Sequence, residues 1–229
     1  MHQTIHWHPL STAEQVADVA CEHILNAART AIAQHGHFKL VLAGGSTPEK
    51  VYRLLAQQTA DWQHWIVYYG DERCLAAEHP ERNSALALHT LLTKVAIPAA
   101  QIFTIPAELG NDAAAAAYRP LIAAAVPFDM VLLGIGEDGH TASLFSGHIH
   151  QADEWVHAVN DSPKPPAERV SMSANALSQT NEVIFLITGS TKRDIVTKWR
   201  NGEALPVGTI CPAQGVTVYI DHDALPSPE

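Results

Sequence analysis

The sequence predicts one α/β domain, residues 1–229, with a doubly wound, mostly parallel sheet and helices on both of its faces. Short apolar runs bounded by turn residues alternate along the chain with helical segments of about 10–15 residues, which is the pattern of strand–helix–strand units. Several of these runs end in glycine-rich loops, at the strand ends where open α/β sheets bind their ligands. A length of 229 residues suits one large domain of this class.

The helices follow from capping signals and from residues that favour helix. A capping box at residues 11–14 precedes a long helical pattern that runs to about residue 34. Pro48 lies near the first turn of the next helix, where its missing N–H costs nothing. The alanine-rich run near residue 115 reflects helix propensity. The remaining predicted helices cover residues 48–57, 83–92, 113–125 and 191–200.

The strands follow from short apolar runs that stop at glycine, proline or polar residues. Only one segment, the proline-rich residues 162–166, is linker-like, and its short length predicts a loop over the site instead of a domain boundary. The predicted strands cover residues 38–43, 65–69, 102–105, 128–133, 182–188 and 217–220, with short candidates at 156–159 and 170–172.

The composition is typical of a soluble globular protein. A formal net charge of −10 argues against non-specific binding to nucleic acid or to an anionic membrane. No apolar run is long enough to cross a bilayer, and the amino terminus lacks the pattern of a secretory signal. Cys21, Cys74 and Cys211 form no C-x-x-C pair, so we expect reduced thiols in a cytoplasmic protein. His148 and His150 are more often a surface coincidence than a metal site, and we predict no metal.

The most informative segment is residues 128–145, FDMVLLGIGEDGHTASLF. A buried apolar strand ends at Gly134, and the loop that follows holds Asp138 and His140 between Gly136 and Gly139. Glycines just past a strand end permit backbone conformations closed to other residues and a close approach to a ligand. An acid and a histidine held at such a place indicate catalysis.

Two other interpretations of this loop compete with catalysis. Gly134, Gly136 and Gly139 fit G-x-G-x-x-G, and Asp161 lies about 20 residues further on, as in dinucleotide-binding domains. However, acidic residues would then lie against the pyrophosphate, and that fingerprint belongs at the first strand–helix turn. The second alternative is a structural loop with a satisfied histidine, which would be the favoured interpretation for a lone His.

Two further strand ends carry residues suited to an anion. Gly44, Gly45, Ser46 and Thr47 precede a helix, so their N–H groups and hydroxyls form a candidate anion site, although an ordinary capped turn would look the same. After the strand at 65–69 comes the sequence Gly70-Asp71-Glu72-Arg73, which is either a self-satisfied ion pair or a site where Arg73 holds an anion and Glu72 orients it. Arg169 and Lys192 lie near other element ends, and together with Arg73 they would supply the positive field that an acidic protein needs for phosphate.

Taken together, these motifs resemble the 6-phosphogluconolactonases, in order and spacing, across nearly the whole chain. The motifs that carry the resemblance are Gly44-Gly45-Ser46-Thr47-Pro48, Gly70-Asp71-Glu72-Arg73, Asn83, Gly134-x-Gly136-x-Asp138-Gly139-His140-Thr141-Ala142-Ser143-Leu144-Phe145, Arg169-Val170-Ser171 and Gly189-x-x-Lys192.

The resemblance implies hydrolysis of 6-phospho-D-glucono-1,5-lactone to 6-phosphogluconate in the oxidative pentose phosphate pathway, without metal or cofactor. It implies the fold shared with glucosamine-6-phosphate deaminases and ribose-5-phosphate isomerases, His140 as the base, and the glycine loop and basic residues as the holders of the 6-phosphate. The chain departs from the family where Arg82 stands in place of the usual Ser, and where Ser146 stands in place of a common Pro.

The residues themselves suit lactone hydrolysis, because the ordinary pKa of histidine lies where a base must work near neutral pH. Backbone N–H groups of the glycine loops are candidates to receive the oxyanion. Asp138 either orients the imidazole or caps the loop. A covalent route through Ser143 or Ser46 is an alternative to direct attack by water, although no G-x-S-x-G elbow is present.

Two other functions compete with the lactonase. An aldose–ketose isomerase or amino-sugar phosphate deaminase would carry a Glu shortly after the D-G-H, where this chain has Leu144, Phe145 and Ser146. A sugar-phosphate sensor would bring a DNA-binding helix-turn-helix, for which the chain shows no candidate.

Overall fold

A computed structural model describes residues 3–148 and 153–226, so His150 lies outside the described residues. The strands are β1 (Ile5–Leu10), β2 (Phe38–Leu42), β3 (Trp65–Tyr69), β4 (Asp71–Arg73), β5 (Ile102–Phe103), β6 (Phe128–Leu133), β7 (Val156–Val159), β8 (Arg169–Met172), β9 (Thr180–Ile187) and β10 (Val216–Asp221). The α-helices are α1 (Ala13–His35), α2 (Ser46–Leu55), α3 (Asn83–Ala87), α4 (Asn111–Ala125), α5 (Ala174–Ser178) and α6 (Arg193–Arg200). A π-helical segment, Leu88–Leu92, continues α3, and five 3₁₀ segments are Trp62–His64, Ala99–Gln101, Ala107–Leu109, Ser190–Lys192 and Pro206–Thr209.

Seven strands form one sheet in the order β1-β10-β9-β6-β2-β3-β5, and every neighbouring pair is parallel. Alternate side chains of each strand point to opposite sides of the sheet. Helices cover the apolar side chains on both sides. Trp7 of β1 meets Trp199 of α6 on one face, whereas His8 meets Tyr219, which contacts His23 of α1, on the other. The predicted doubly wound α/β fold is therefore confirmed.

The centre of the sheet is also the centre of the core. All six residues of β6 are buried, as an apolar strand between two helical layers requires. Its neighbours β2 and β9 are almost as apolar, and they pack with α1 into one continuous cluster. Burial on both faces fixes the strands, and hence the loops at their ends.

A second, antiparallel sheet of three strands, in the order β4-β8-β7, extends the molecule beside β3. The two sheets meet at Gly70, whose carbonyl oxygen accepts a 2.7 Å hydrogen bond from the N–H of Met172. In the β4–β8 register, Arg73 lies opposite Arg169 and Asp71 lies opposite Ser171. Residues far apart in sequence thus become cross-strand neighbours.

Four sequence predictions need correction. The strand at 38–43 is not the first, because β1 precedes α1; its alternating polar residues and Pro9 gave no apolar run, as suits an edge strand. Residues 71–73, for which the sequence predicted no element, form strand β4. The cap of α1 is Thr12 instead of Ser11, since Thr12 Oγ1 accepts from Gln15 N at 3.2 Å. α2 begins at Ser46, two residues before the predicted start at Pro48.

The other predicted elements are present with shifted ends. The helix predicted at 191–200 starts as the 3₁₀ turn Ser190–Lys192 and continues as α6, and the strand predicted at 102–105 is only the two-residue β5. No helix within the described ranges is both long and apolar enough to cross a membrane.

Candidate active site

The candidate site lies where four neighbouring parallel strands, β9, β6, β2 and β3, reach their carboxyl ends. Each ends in a loop that the sequence singled out: Gly44 after β2, Gly70 after β3, Gly134 after β6 and Gly189 after β9. β2 is flanked by β3 on one side and by the later strand β6 on the other, so the chain reverses its winding direction between β2 and β6. Such a reversal opens a crevice at the strand ends.

A cavity of about 280 Å³ occupies this crevice. Its lining combines two glycine loops, a histidine, an Asp–Asn pair and four basic residues. The lining residues are Leu42, Ala43, Gly44, Gly45, Gly70, Asp71, Arg73, Asn83, Leu132, Leu133, Gly134, Ile135, Gly136, His140, Thr141, Ala142, Lys164, Arg169 and Lys192. The structure thus brings nine of the fourteen predicted site residues to one cavity wall: Gly44, Gly45, Asp71, Arg73, Asn83, Gly136, His140, Arg169 and Lys192.

The imidazole of His140 is paired with the carboxylate of Asp138. Nδ1 of His140 contacts Oδ1 of Asp138, and the same oxygen accepts from the His140 backbone N–H at 3.3 Å. A carboxylate at Nδ1 selects the tautomer with the proton on that nitrogen, and Nε2 is then left with a free lone pair. The His140 side chain is 17% exposed and borders the cavity, whereas Asp138 is 40% exposed and is not among the residues that line it. Of the two roles left open for Asp138, this geometry favours orientation of the imidazole.

Burial and the neighbouring carboxylate act in opposite directions on this pair. Burial lowers the pKa of His140 below its ordinary value, and the hydrogen bond and charge of Asp138 offset only part of that effect. For Asp138, burial acts to raise the pKa, but the hydrogen bond from His140 and the imidazole charge outweigh it, so the pKa is lowered. His140 is therefore neutral, and Asp138 ionised, at neutral pH.

The loop around His140 needs glycine at two points. A Cβ on Gly136 would lie 2.0 Å from Nδ1 of His140 and 2.6 Å from Oδ1 of Asp138, so the backbone leaves no room for a side chain there. Gly139 has φ +84°, a conformation that disfavours other residues. The turn is closed by hydrogen bonds from Gly136 N to His140 O at 2.8 Å and from Gly139 N to Gly136 O at 3.0 Å.

The same loop excludes the dinucleotide-binding alternative. A pyrophosphate site of that type needs a helix directly after the glycines. Here residues 141–144 form a turn, in which Ala142 has φ +48° and Thr141 Oγ1 donates to Gly134 O at 2.9 Å. Within residues 141–148 of the described chain no helix begins.

Ser143 is poorly placed to act as a nucleophile. Its side chain is 0% exposed, and its Oγ donates to Oδ2 of Asp71 at 2.6 Å. Its backbone N–H donates to Ser171 Oγ at 3.2 Å. The hydroxyl therefore helps to hold Asp71, whose pKa is raised chiefly by burial. This arrangement favours direct attack by water over a covalent route through Ser143.

The glycine loop after β2 packs closely against Asn83. A Cβ on Gly44 would lie 1.9 Å from Oδ1 of Asn83, and the Asn83 amide donates to the backbone oxygen and to Oδ1 of Asp71, both at 3.0 Å. Gly45, with φ +110°, is the N-cap residue of α2. Asp71 and Asn83 are thus joined by hydrogen bonds, and the backbone of Gly44 packs directly against the Asn83 amide.

Five predicted site residues lie outside the cavity lining: Ser46, Thr47, Glu72, Asp138 and Gly139. Ser46 begins α2, and the buried Thr47 shares a 2.7 Å hydrogen bond between hydroxyls with Thr188, so it ties α2 to the end of β9. Glu72 is buried and accepts backbone N–H groups, so it does not touch a ligand in the cavity. The ion pair suspected between Glu72 and Arg73 is absent from the described side-chain contacts, because the Glu72 carboxylate lies instead near Arg82.

Four basic residues border the cavity, and one of them was missed in the sequence. Arg73 and Arg169 face each other across β4 and β8, and Lys192 projects from the turn after β9. Burial lowers the pKa of Lys192 from its ordinary value. Lys164 belongs to the proline-rich loop at 162–166, which was predicted to cover the site but whose Lys was not singled out.

Arg169 holds that loop in place. Its guanidinium donates to the carbonyl oxygens of Lys164, Pro165 and Pro166 at 3.1–3.3 Å, and it lies 5.8 Å from the centre of the Phe145 ring. These bonds use much of its donor capacity, so Arg169 contributes charge to the cavity while it positions Lys164.

A larger cavity of about 770 Å³ lies beyond Leu144 and Phe145 and is bordered by Trp199 and Leu205. Glu203 is the only Asp, Glu, Lys or Arg among its described lining residues. Without a cation or glycine loop comparable to those of the smaller cavity, it is poorly suited to a phosphorylated ligand.

One group of described side chains has the spacing of metal ligands: the donor atoms of His35, His37 and Asp129 lie within 4.8 Å of one another. It lies at the opposite edge of the sheet, before β2 and at the start of β6. The Asp129 carboxylate already contacts His35 Nε2 at 3.0 Å, Lys39 N at 2.8 Å and Asn181 Nδ2 at 3.3 Å. It thereby fastens the turn between α1 and β2 to the neighbouring strands, far from the cavity.

Both the sequence and the fold of this chain are similar to those of known proteins. The model of the glucosamine-6-phosphate isomerases/6-phosphogluconolactonase family matches residues 11–219. A 6-phosphogluconolactonase of Mycobacterium leprae (strain TN) is 35% identical over 208 residues, which cover 84% of this chain and 84% of that protein. A probable chloroplastic 6-phosphogluconolactonase of Oryza sativa subsp. indica is 31% identical over 237 residues, covering 93% and 72%. The solved 6-phosphogluconolactonase of Thermotoga maritima is 26% identical and superposes with a TM-score of 0.88, covering 95% of this chain and 100% of that one.

Proposed function

The chain belongs to the glucosamine-6-phosphate isomerase/6-phosphogluconolactonase family, and from this membership we propose that it hydrolyses 6-phospho-D-glucono-1,5-lactone to 6-phosphogluconate, the lactonase step of the oxidative pentose phosphate pathway. Its relatives at 31–35% identity are lactonases, and the chain is an enzyme of their kind. Because one of these relatives is chloroplastic, family membership alone does not fix where in the cell the protein works, and a cytoplasmic location stays a prediction.

The observation that carries the proposal is the His140–Asp138 pair at the edge of a cavity that also holds two glycine loops and four cations. Neutral His140 takes a proton from water through Nε2 as the water oxygen bonds to the lactone carbonyl carbon. The carbonyl oxygen becomes an oxyanion in the tetrahedral intermediate. Asp138 stabilises the imidazolium that forms, in the way that an acid supports a catalytic histidine in a triad.

Collapse of the intermediate completes the reaction. The bond between the carbonyl carbon and the ring oxygen breaks, and the leaving alkoxide takes the proton from the His140 imidazolium. The products are a hydroxyl group and a carboxylic acid, which ionises at neutral pH. His140 returns to its neutral form, because the proton that it gives to the leaving alkoxide is the one that it took from the attacking water.

The cations bind the phosphate end of the substrate. A phosphate dianion needs concentrated donors in a protein with a formal net charge of −10. Arg73 offers a planar fork, while Lys192 and Lys164, which line the same cavity, offer ammonium groups. Gly44 and Gly45, at the amino terminus of α2, add N–H groups and the positive end of the helix dipole.

The deaminase alternative lacks the residue that its chemistry needs at this site. The stretch after His140 that would carry a Glu holds Leu144 and Phe145 instead, both nearly buried apolar side chains. A carboxylate that moves protons at carbon is therefore missing from this part of the described cavity, and lactone hydrolysis, which needs one base and a water, remains the better fit.

The test is acid release from freshly generated 6-phosphogluconolactone, followed above the spontaneous rate, with ammonia release from glucosamine-6-phosphate measured in parallel. We expect saturable lactonase activity and no ammonia. An enzyme that releases ammonia, or that leaves lactone hydrolysis at its spontaneous rate, would refute the proposal.

A further inference from the structure

We propose that Arg82 is a positioning residue of this site, which acts through Glu72 to fix Asn83 and Arg73 and thereby sets the preference for a phosphorylated lactone. This inference rests on the proposed lactonase function. Arg82 touches no cavity wall, and it stands where the resembled family usually has a serine, so its role belongs to this chain.

Arg82 is a buried cation, only 3% exposed. Its guanidinium donates from Nη1 to Oε2 of Glu108 at 2.8 Å and from Nη2 to the backbone oxygen of Ile105 at 2.7 Å. Its Nε has no hydrogen-bond partner among the described residues and lies 3.4 Å from Oε2 of Glu72. The Nε side of the Arg82 guanidinium therefore forms an ion pair with the Glu72 carboxylate.

Glu72 is a buried carboxylate, 1% exposed, that organises the start of α3. Its Oε1 accepts from the backbone N–H of Asn83 at 2.7 Å and of Arg73 at 2.9 Å, and its Oε2 accepts from Ser84 N at 2.8 Å. A buried negative charge needs a positive partner, because removing one member of such a pair leaves the other uncompensated. Arg82 is the cation that lies within ion-pair distance of it.

The backbone groups held by Glu72 belong to residues that line the cavity. Asn83 packs its amide between Asp71 and Gly44, and Arg73 is one of the proposed phosphate ligands. Arg73 is also tied from its other end, since Nη1 donates to the carbonyl oxygen of Glu81, the residue directly before Arg82. A shift of Arg82 would therefore reach Arg73 through Glu72 and through the main chain.

The predicted effect concerns substrate discrimination more than the base. Arg73 and Asn83 lie on the β3 side of the cavity, whereas His140 is held by its own loop and by Asp138. Loss of the Arg82 charge should move the phosphate-binding side. The pKa of His140 should change little, because burial and the hydrogen bond of Asp138 affect it more than the charges of Asp71 and Lys164 do. The selectivity for phosphorylated over unphosphorylated lactone reports on the phosphate-binding side, and the pH profile of kcat/KM reports on the protonation of His140.

The experiment compares Arg82→Met, Arg82→Lys and the control Glu108→Gln, which removes the charge of the exposed outer partner of the same guanidinium and leaves the contact with Glu72. We expect Arg82→Met to lower kcat/KM for the phosphorylated lactone by about tenfold to a hundredfold, the order that a small misplacement costs. The loss should lie mainly in KM, because the groups that move bind the phosphate. Its activity on glucono-1,5-lactone and its pH midpoint should stay near wild type. Arg82→Lys should recover part of the selectivity, and Glu108→Gln nearly all of it.

The double variant Arg82→Met with Glu72→Gln covers the case in which Arg82→Met does not fold, because it removes the uncompensated charge as well as its partner. It should fold and still show reduced selectivity. A folded Arg82→Met or double variant with wild-type selectivity, or one that loses both activities equally, would overturn the inference. Wild-type protein without activity on either lactone would instead refute the proposed function.

Discussion

Gly136→Ala tests the placement of the proposed catalytic pair, His140 and Asp138, by adding a single methyl group. The added methyl group would lie 2.0 Å from Nδ1 of His140, 2.1 Å from its Cε1 and 2.6 Å from Oδ1 of Asp138. These atoms are the ones that the proposed mechanism orients. The substitution removes no functional group, so any loss of activity reports on position alone.

The size of the displacement follows from these distances. Ordinary contact between carbon and another heavy atom begins near 3.5 Å, so the imidazole must withdraw by about 1.5 Å or the loop must open. Withdrawal is restricted, because the His140 carbonyl accepts from Gly136 N at 2.8 Å and the ring lies 4.8 Å, between centroids, from Phe145. A misplacement of about 1 Å costs on the order of 10²-fold in rate, so we expect kcat/KM to fall at least that far.

The matched control is Gly208→Ala. No heavy atom lies within 4 Å of the position of its added Cβ, and Gly208 does not have the left-handed conformation that disfavours alanine. Steady-state hydrolysis of the phosphorylated lactone should therefore be near wild type for Gly208→Ala and strongly reduced for Gly136→Ala, with kcat falling more than KM rises. A folded Gly136→Ala enzyme with wild-type kcat/KM would show that catalysis does not depend on the observed His140–Asp138 geometry.

Three further predictions concern the same cavity. His140→Ala should lower kcat/KM by about 10²–10⁴-fold. In wild type, kcat/KM should rise with pH through a midpoint below the ordinary histidine pKa of about 6.5, since only the neutral imidazole is a base and burial lowers its pKa. A rate that is flat from acid to neutral pH would exclude His140 as the base. Asp138→Asn removes the group that raises the His140 pKa, so the midpoint should move to lower pH while kcat falls; a midpoint that moves upward would contradict the assigned pairing. Arg73→Lys, Lys192→Met and Lys164→Met should each weaken the preference for the phosphorylated over the unphosphorylated lactone by about tenfold to over a hundredfold, the worth of a charged hydrogen bond; variants that discriminate as sharply as wild type would place the phosphate elsewhere.

The sequence predicted most of the fold because the central strands carry a strong and simple signal. Strands β2, β3, β6 and β9 are buried on both faces, so their apolar runs are nearly continuous and stop at glycine or polar residues. The edge strand β1 carries no such signal, since its sequence IHWHPL alternates polar with apolar residues and includes a proline. Its place depends on pairing with β10 at the far end of the chain, which no local pattern contains.

The residue types of the candidate site were predictable from the sequence, but the role of each residue was not. Polar residues after four strands were recognised, and the parallel sheet brings those strand ends together. The distinction between residues that face the cavity and residues that hold them depends on side-chain direction. Glu72 and Arg73 are adjacent in sequence, yet the carboxylate of Glu72 is buried against α3 while Arg73 lines the cavity. Lys164 escaped notice because its position over the site depends on three bonds from Arg169.

The two sheets explain how an acidic protein can bring several cations together around the proposed phosphate site. The parallel sheet supplies glycine loops, a histidine and one lysine, Lys192, at its carboxyl edge. The antiparallel sheet supplies the rest, because the register of β4 and β8 sets Arg73 opposite Arg169, and Arg169 in turn fixes the loop that carries Lys164. Two cations placed side by side repel each other unless an anion or nearby carboxylates compensate them, and the buried Asp71 does so in part. A phosphate group bound between them would complete that compensation, so the arrangement of the second sheet is itself a reason to place the phosphate on the side of Arg73 and the reacting carbonyl on the side of His140.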